Sequence, residues 1–173
     1  MDLKYYIKDV PDFPEPGILF RDITPLLAEP QAWSITLDRL TQLVAFLKPD
    51  YIVGIESRGF IFAAPLALDL GAGFVPVRKS GKLPRATFQQ QYSLEYRTDT
   101  LEIHQDCFKV KPGGRVLVVD DVIATGGTAK CAGDLVGLAG GTLVGFCFLI
   151  ELTFLAGRDL LPPELPCLSL LTY

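Results

Sequence analysis

The sequence predicts an α/β fold: a mostly parallel sheet flanked by helices, with an inserted β-hairpin and a proline-bounded N-terminal flap. Three observations carry that expectation. The apolar runs YIVGI (51–55), VLVVD (116–120) and LVGFCFLI (143–150) are continuous rather than alternating, as in strands buried on both faces. Segments with apolar residues at helical spacing separate them, the pattern of a parallel sheet covered on both sides. No internal repeat, low-complexity tract or linker interrupts the chain, so residues 1–173 read as a single domain.

Each element follows from its residues. Through Pro30 the chain is punctuated by Pro11, Pro14, Pro16, Pro25 and Pro30, so FPEPGILFRDITPLL reads as irregular backbone carrying apolar side chains, an ordered flap over 1–30. From Gln31 to Leu47, Trp33, Leu37, Leu40, Val44 and Leu47 recur on one helical face, and Pro49 closes the helix. The strand YIVGI precedes ESRG and a helix-compatible stretch, FIFAAPLALDLG; FVPVRK (74–79) is the next strand. SGKLPRATFQQQ is polar and turn-rich. In YSLEYRTDTLEIHQ, Tyr92, Leu94 and Tyr96 alternate, as do Leu101 and Ile103, which predicts a hairpin of two exposed strands. After VLVVD, a helix is expected over Thr128–Leu138, with Cys131, Leu135 and Leu138 on one face. LVGFCFLI is a further strand, Thr153–Leu160 a short helix, and LPCLSLLTY either a last edge strand or an irregular tail.

Composition narrows the function classes. The chain is 49% hydrophobic and 21% charged, with a formal net charge of -4. A nucleic-acid or anionic-membrane surface would show a basic excess, so neither partner is expected. No run approaches the roughly 20 apolar residues of a spanning helix, and MDLKYYIKDVPDF lacks the apolar core of a secretory signal. Cys107, Cys131, Cys147 and Cys167 form no CxxC or CxxH pair and read as free thiols in a reducing compartment, cytoplasmic by expectation. His104 is the sole histidine, and no HExxH or cysteine cage is present, so no metal held by protein ligands is expected.

Residues 116–129, VLVVDDVIATGGTA, carry the chemistry. Four apolar β-formers run into Asp120 and Asp121 at the carboxyl end of a strand, where open α/β sheets collect ligands. Ala124, Thr125, Gly126, Gly127 and Thr128 then offer backbone N–H groups and two hydroxyls where a helix begins, an arrangement suited to phosphate. Neither GxxxxGK[ST] nor GxGxxG is present. Carboxylates beside a phosphate cradle fit a sugar phosphate, its ribose hydroxyls donating to the acids and its 5′-phosphate held by the turn.

This string resembles the phosphoribosyl-pyrophosphate signature of the type I phosphoribosyltransferases. FPEPGILFRDITPLL, VGIESRGFIFAAPLA, RKSGKLP, YSLEYRTDTLEIHQD and ELTFLAGRDLL narrow the resemblance, in order and end to end, to the adenine-specific branch of that family. It implies the type I phosphoribosyltransferase fold with a base-binding hood over 1–30 and a mobile lid over 79–106. It also implies a reaction in purine salvage, adenine plus phosphoribosyl pyrophosphate giving AMP and pyrophosphate.

The resemblance implies roles as well. Ala124–Thr128 match the 5′-phosphate loop, and Asp120 and Asp121 the ribose contacts. Ser57, Arg58 and Gly59 match the pyrophosphate loop, with Arg78, Lys79 and Lys82 as further diphosphate contacts, Arg78 from a partner subunit of a homodimer. Glu95 in YSLEY is the candidate for proton transfer, with Tyr96 beside it in the lid. Leu19, Phe20 and Arg21 match the hood, where main-chain groups read the adenine edge. Mg²⁺ is expected to arrive with the diphosphate rather than in a protein cage. Three other readings compete: a different purine on the same scaffold, a phosphoribosyl-pyrophosphate-sensing regulator, and a purely structural domain. The first lacks this flap and SLEY segment, the second asks for a basic DNA-binding module, and the third leaves the clustered Asp120, Thr125, Arg58 and lysine-rich turn unexplained.

Overall fold

A seven-stranded sheet organises most of the chain in the computed structural model, which describes residues 1–94 and 97–173. The backbone divides into two compact units, Met1–Arg39 and Leu40–Tyr173.

The first unit holds more regular structure than its prolines foretell. Lys8–Pro11 (β1) and Leu19–Asp22 (β2) pair as an antiparallel ribbon, with Asp9 opposite Arg21, and those two side chains form an ion pair. The connecting turn is closed by Phe13 stacked edge-to-face on Phe20, with ring centroids 5.2 Å apart. Thr24–Ala28 (α1) follows, its first turn held by Asp22, which accepts from the Thr24 N–H and hydroxyl at 2.9 and 2.8 Å. The segment expected to be irregular therefore contains a strand and a helix. Proline misleads here because Pro25 occupies the first turn of α1, where its missing N–H costs nothing. Pro30–Val44 (α2) comes next, and the division between the units falls within it. The expected helix over Gln31–Leu47 ends in a 3₁₀ turn, Ala45–Leu47, with Lys48 left-handed at φ 45°.

In the second unit the strands are Tyr51–Ile55 (β3), Gly73–Lys79 (β4), Thr87–Leu94 (β5), Arg97–His104 (β6), Arg115–Ile123 (β7), Thr142–Glu151 (β8) and Cys167–Thr172 (β9). Their order across the sheet is β5-β6-β4-β3-β7-β8-β9. Pairing is parallel from β4 through β9 and antiparallel where the hairpin β5–β6 joins β4. Arg58–Leu70 (α3), which accommodates Pro65, and Gly127–Leu138 (α4) are the covering helices. Alternate strand residues serve the two faces. Val53, Ile55, Val116, Val118, Phe146 and Phe148 form one core with Cys131, Ala132, Leu135 and Val136 of α4. On β3, Gly54 faces α3 so closely that a Cβ there would lie 2.8 Å from the Ala63 Cβ.

Three expectations are corrected, and one that stood between two alternatives is settled. The hairpin begins at Thr87, inside the stretch read as turn, and it is exposed only in part: Gln89, Gln91 and Thr98 face solvent, while Leu101 and Ile103 are buried in the core. Pairing with β4 turns that face inward, a tertiary effect that the polar run TFQQQ conceals. β7 continues past the acidic pair to Ile123, because β8 extends beside it to Glu151. Thr153–Leu160 is not an α-helix but two 3₁₀ turns, Thr153–Leu155 and Gly157–Leu160, separated by left-handed Ala156. The C-terminal segment resolves to an edge strand, β9, parallel to β8.

Candidate active site

A cleft of about 680 Å³ opens at the carboxyl ends of β3 and β7. Each wall has a local cause. β7 delivers Asp120 and Asp121, and the chain then turns through Ala124, Thr125 and Gly126 into α4. Gly126 is the N-cap at φ 86°, a left-handed conformation that favours glycine. Thr128 lies in the first turn, where backbone N–H groups have no intrahelical partner. Across the cleft, the turn after β3 supplies Glu56, Ser57 and Arg58; the Glu56–Ser57 peptide is cis. Lys79 and Lys82 come from the end of β4 and the turn after it, and Tyr92 and Asp99 from the hairpin.

The charges are organised in pairs. Arg58 Nε lies 2.5 Å from Asp121 Oδ2, with the Asp121 side chain 7% exposed and that of Arg58 48% exposed. Asp120 accepts the Asp121 N–H at 2.8 Å. Burial pushes the Asp120 carboxyl well above the usual range, and the neighbouring Asp121 charge adds to the effect. Gly59 is what lets Asp120 sit there, since a Cβ at Gly59 would lie 2.8 Å from Asp120 Oδ1 and 2.9 Å from the Val119 carbonyl oxygen.

On the opposite wall Glu56 binds Arg78 through both carboxylate oxygens, at 3.2 and 3.4 Å, and accepts the Lys79 N–H at 2.8 Å. Burial opposes ionisation of Glu56, but the Lys79 amide and Arg78 outweigh it and hold the carboxyl below its usual range. Lys79 Nζ stands 3.6 Å from Asp99. Buried Glu102 on β6 accepts the N–H groups of Lys82 and Leu83 at 2.9 and 2.8 Å, which fixes the turn carrying Lys82.

The structure thus brings together Ser57, Arg58, Lys79, Lys82, Asp120, Asp121, Ala124, Thr125, Gly126 and Thr128 around one cleft. Gly59 and Gly127 support it without lining it. Arg78 is turned to Glu56. Leu19, Phe20 and Arg21 lie on β2 in the N-terminal unit. Glu95 and Tyr96 fall outside the described residues. Sequence reasoning missed Glu56, Tyr92 and Asp99 on the walls, and Glu102 and Gly157 behind them. Glu56 had a signal, being the first residue of ESRG; the others acquire meaning only from strand pairing or packing. Among the described residues no group of three or more His, Cys, Asp and Glu is gathered to hold a metal ion, and no helix is long and apolar enough to cross a membrane.

An arrangement with cations on one wall and carboxylates beside a phosphate-type turn on the other can hold a sugar that carries phosphate at both ends. Comparison with known proteins agrees. The phosphoribosyl transferase domain family matches residues 31–167. An adenine phosphoribosyltransferase from Gloeobacter violaceus is 61% identical over 173 residues, covering 100% of both chains. The crystal structure of adenine phosphoribosyltransferase from Rhodothermus marinus superposes with a TM-score of 0.92 at 53% identity, covering 99% of this chain and 96% of that one. The Saccharomyces cerevisiae enzyme, solved with an imino-altritol bisphosphate and adenine, gives a TM-score of 0.89 at 44% identity, covering 97% and 96%.

Proposed function

The chain belongs to the adenine phosphoribosyltransferases of the phosphoribosyl transferase family, and we propose that the cleft at β3 and β7 performs their reaction with the residues assembled there. That reaction is a step of purine salvage, the transfer of the 5-phosphoribosyl group from phosphoribosyl pyrophosphate to adenine, giving AMP and pyrophosphate. A bond forms between an adenine ring nitrogen and the anomeric carbon as the bond from that carbon to diphosphate breaks. Positive charge develops on the ribose, and negative charge on the leaving group.

The observation that carries the assignment of roles is the joining of Asp120, Asp121 and the Ala124–Thr128 turn in one cleft with Arg58, Lys79 and Lys82 opposite. In this reading the turn's amides and hydroxyls hold the 5′-phosphate. Asp120 and Asp121 accept hydrogen bonds from the ribose hydroxyls, and their charge favours an oxocarbenium-like transition state.

Ser57, Arg58 and Gly59 receive the diphosphate together with Lys79 and Lys82. Arg78 would reach the diphosphate of a second subunit by exchanging Glu56 for phosphate oxygens. Leu19, Phe20 and Arg21 on β2 read the adenine edge through the main chain, within a base-binding hood over 1–30. The hairpin over 79–106 is the lid, carrying Glu95 for proton transfer and Tyr96 beside it; closure excludes water that would hydrolyse the activated ribose.

The donor set fits magnesium delivered by the substrate. Asp120 and Asp121 offer hard oxygens in an open cleft, and Mg²⁺ typically takes one or two carboxylates, substrate phosphates and waters. Bound there it would neutralise charge on the diphosphate oxygens. The four free cysteines suit a cytoplasmic setting. A homodimer is supported by the apolar stripe of Ile61, Ala64 and Leu68 on α3, exposed in the monomer.

AMP formation from adenine, measured beside hypoxanthine, with and without Mg²⁺, tests the substrate assignment; equal or better turnover of hypoxanthine would overturn it. For the proton role, Glu95→Gln is expected to lower kcat while leaving substrate affinity near wild type, and unchanged turnover would remove Glu95 from the mechanism.

A further inference from the structure

The turn that faces the cleft does not support itself. Behind it lies the backbone of Gly157. A Cβ on Gly157 would fall 2.2 Å from the Ala124 carbonyl oxygen and 2.9 Å from the Gly126 nitrogen, and one on Gly126 would fall 2.1 Å from the Gly157 carbonyl oxygen. Two glycines facing each other therefore let main chain pack directly on main chain. No side chain intervenes to absorb a shift, so any displacement of Gly157 is transmitted to the turn.

The residue after Gly157 is itself tied down. Arg158 donates from Nε and Nη2 to the two carboxylate oxygens of Glu151, at 2.7 and 2.6 Å. Such a two-pronged contact fixes the plane of the guanidinium as well as its distance. Glu151 is the last residue of β8 and is buried, 6% exposed. Its register partner across the sheet is Ile123, the last residue of β7 before the turn. The Leu152 N–H also donates to the Ile123 carbonyl at 3.0 Å. The turn and its support thus spring from adjacent strand ends and meet again at Gly157. Arg158 holds the Glu151 carboxyl below its usual range, as a lasting ion pair would. Neither side chain lines the cleft.

We propose that Glu151 and Arg158 are positioning residues for the phosphate-binding turn: their ion pair fixes the Gly157 peptide as a backstop that sets the Ala124–Thr128 amides in place before ligand arrives. The inference rests on the reading that this turn holds the 5′-phosphate. Its consequence is selective. A loosened backstop weakens whatever binds the turn and leaves the opposite wall, with Arg58, Lys79 and Lys82, as it was.

Calorimetric titration of ribose 5-phosphate and, separately, of magnesium pyrophosphate tests this on Glu151→Gln, a neutral replacement of the same shape. Arg158→Met, at a half-exposed side chain, is the second variant should the buried one fail to fold. Both are expected to bind ribose 5-phosphate about tenfold more weakly, with pyrophosphate affinity within about twofold of wild type. Arg158→Lys, which keeps the charge and loses the fork, should restore only part of the loss. Unchanged ribose 5-phosphate affinity, or equal weakening of both ligands, would overturn the proposal. Thr128→Val separates the two readings. If it leaves ribose 5-phosphate binding intact, the assignment of the turn fails; if it abolishes binding while Glu151→Gln and Arg158→Met do not, only the backstop fails.

Discussion

Asp120 is a carboxylate whose own surroundings disfavour its charge. Burial and the Asp121 charge raise its proton affinity, so the ligand-free fold bears the cost of an ionised group it disfavours. The sign follows from linkage: the folded state holds this proton more tightly than the unfolded chain, so stability falls as pH rises from the ordinary Asp value, about 3.9, through the raised one. Asp120→Asn keeps an acceptor for the Asp121 N–H and removes the charge. It is expected to raise the ligand-free Tm at neutral pH by roughly 2–4 °C, with the gain fading in acid, while AMP synthesis drops. A Tm at or below wild type at pH 7 would show that the cost is not there. At this scale the acidic pair and the TGGT turn were legible because their chemistry is contiguous in sequence. Gly59 and Gly157 were not, since each is required to be glycine by a backbone atom far along the chain.

Among the elements, the hairpin β5–β6 depends on a buried carboxylate at its base. Glu102 accepts the Lys82 and Leu83 N–H groups, with Gln89 Nε2 at 3.1 Å and the Thr87 hydroxyl at 3.4 Å. Burial works to raise its pKa, but the amides of Leu83, Gly81 and Lys82 prevail and lower it. The stabilisation is therefore complete above the ordinary Glu value, about 4.3, and is lost only as pH falls through the lower folded value. Glu102→Gln replaces one of the two acceptor oxygens with an NH₂ group facing donors, and should cost about 1–3 kcal/mol. Hydrogen exchange at Lys82 and Leu83 should quicken in that variant, and unaltered protection at both amides would contradict the anchoring role. β3, β7 and β8 were readable because burial on both faces leaves continuous apolar runs. The hairpin's first strand was hidden by its glutamines, and β2 and α1 by prolines that mark turns in most contexts but are tolerated in a first helical turn.

For the whole molecule, the exposed stripe on α3 bears on assembly. Leu68 is 82% exposed, with Ile61 on the same helical face. If a second copy covers this stripe, Leu68→Glu should shift sedimentation from dimer to monomer at micromolar concentration, because an uncompensated charge in an apolar contact is costly. A wild-type monomer would remove the dimer, and a variant that stays dimeric would place the contact elsewhere. The fold, the enzyme family and one cleft with cations facing carboxylates converge on a single central claim. In the proposed function, a carboxylate-tipped strand and the amide turn after it grip the activated pentose. Titration of phosphoribosyl pyrophosphate with Mg²⁺ into the wild type, Asp121→Asn and Thr125→Val proteins tests it most directly. Saturable binding by the wild type, weakened at least about tenfold in both variants, is expected. Absence of binding heat in the wild type, or variants that bind and synthesise AMP like the wild type, would contradict it.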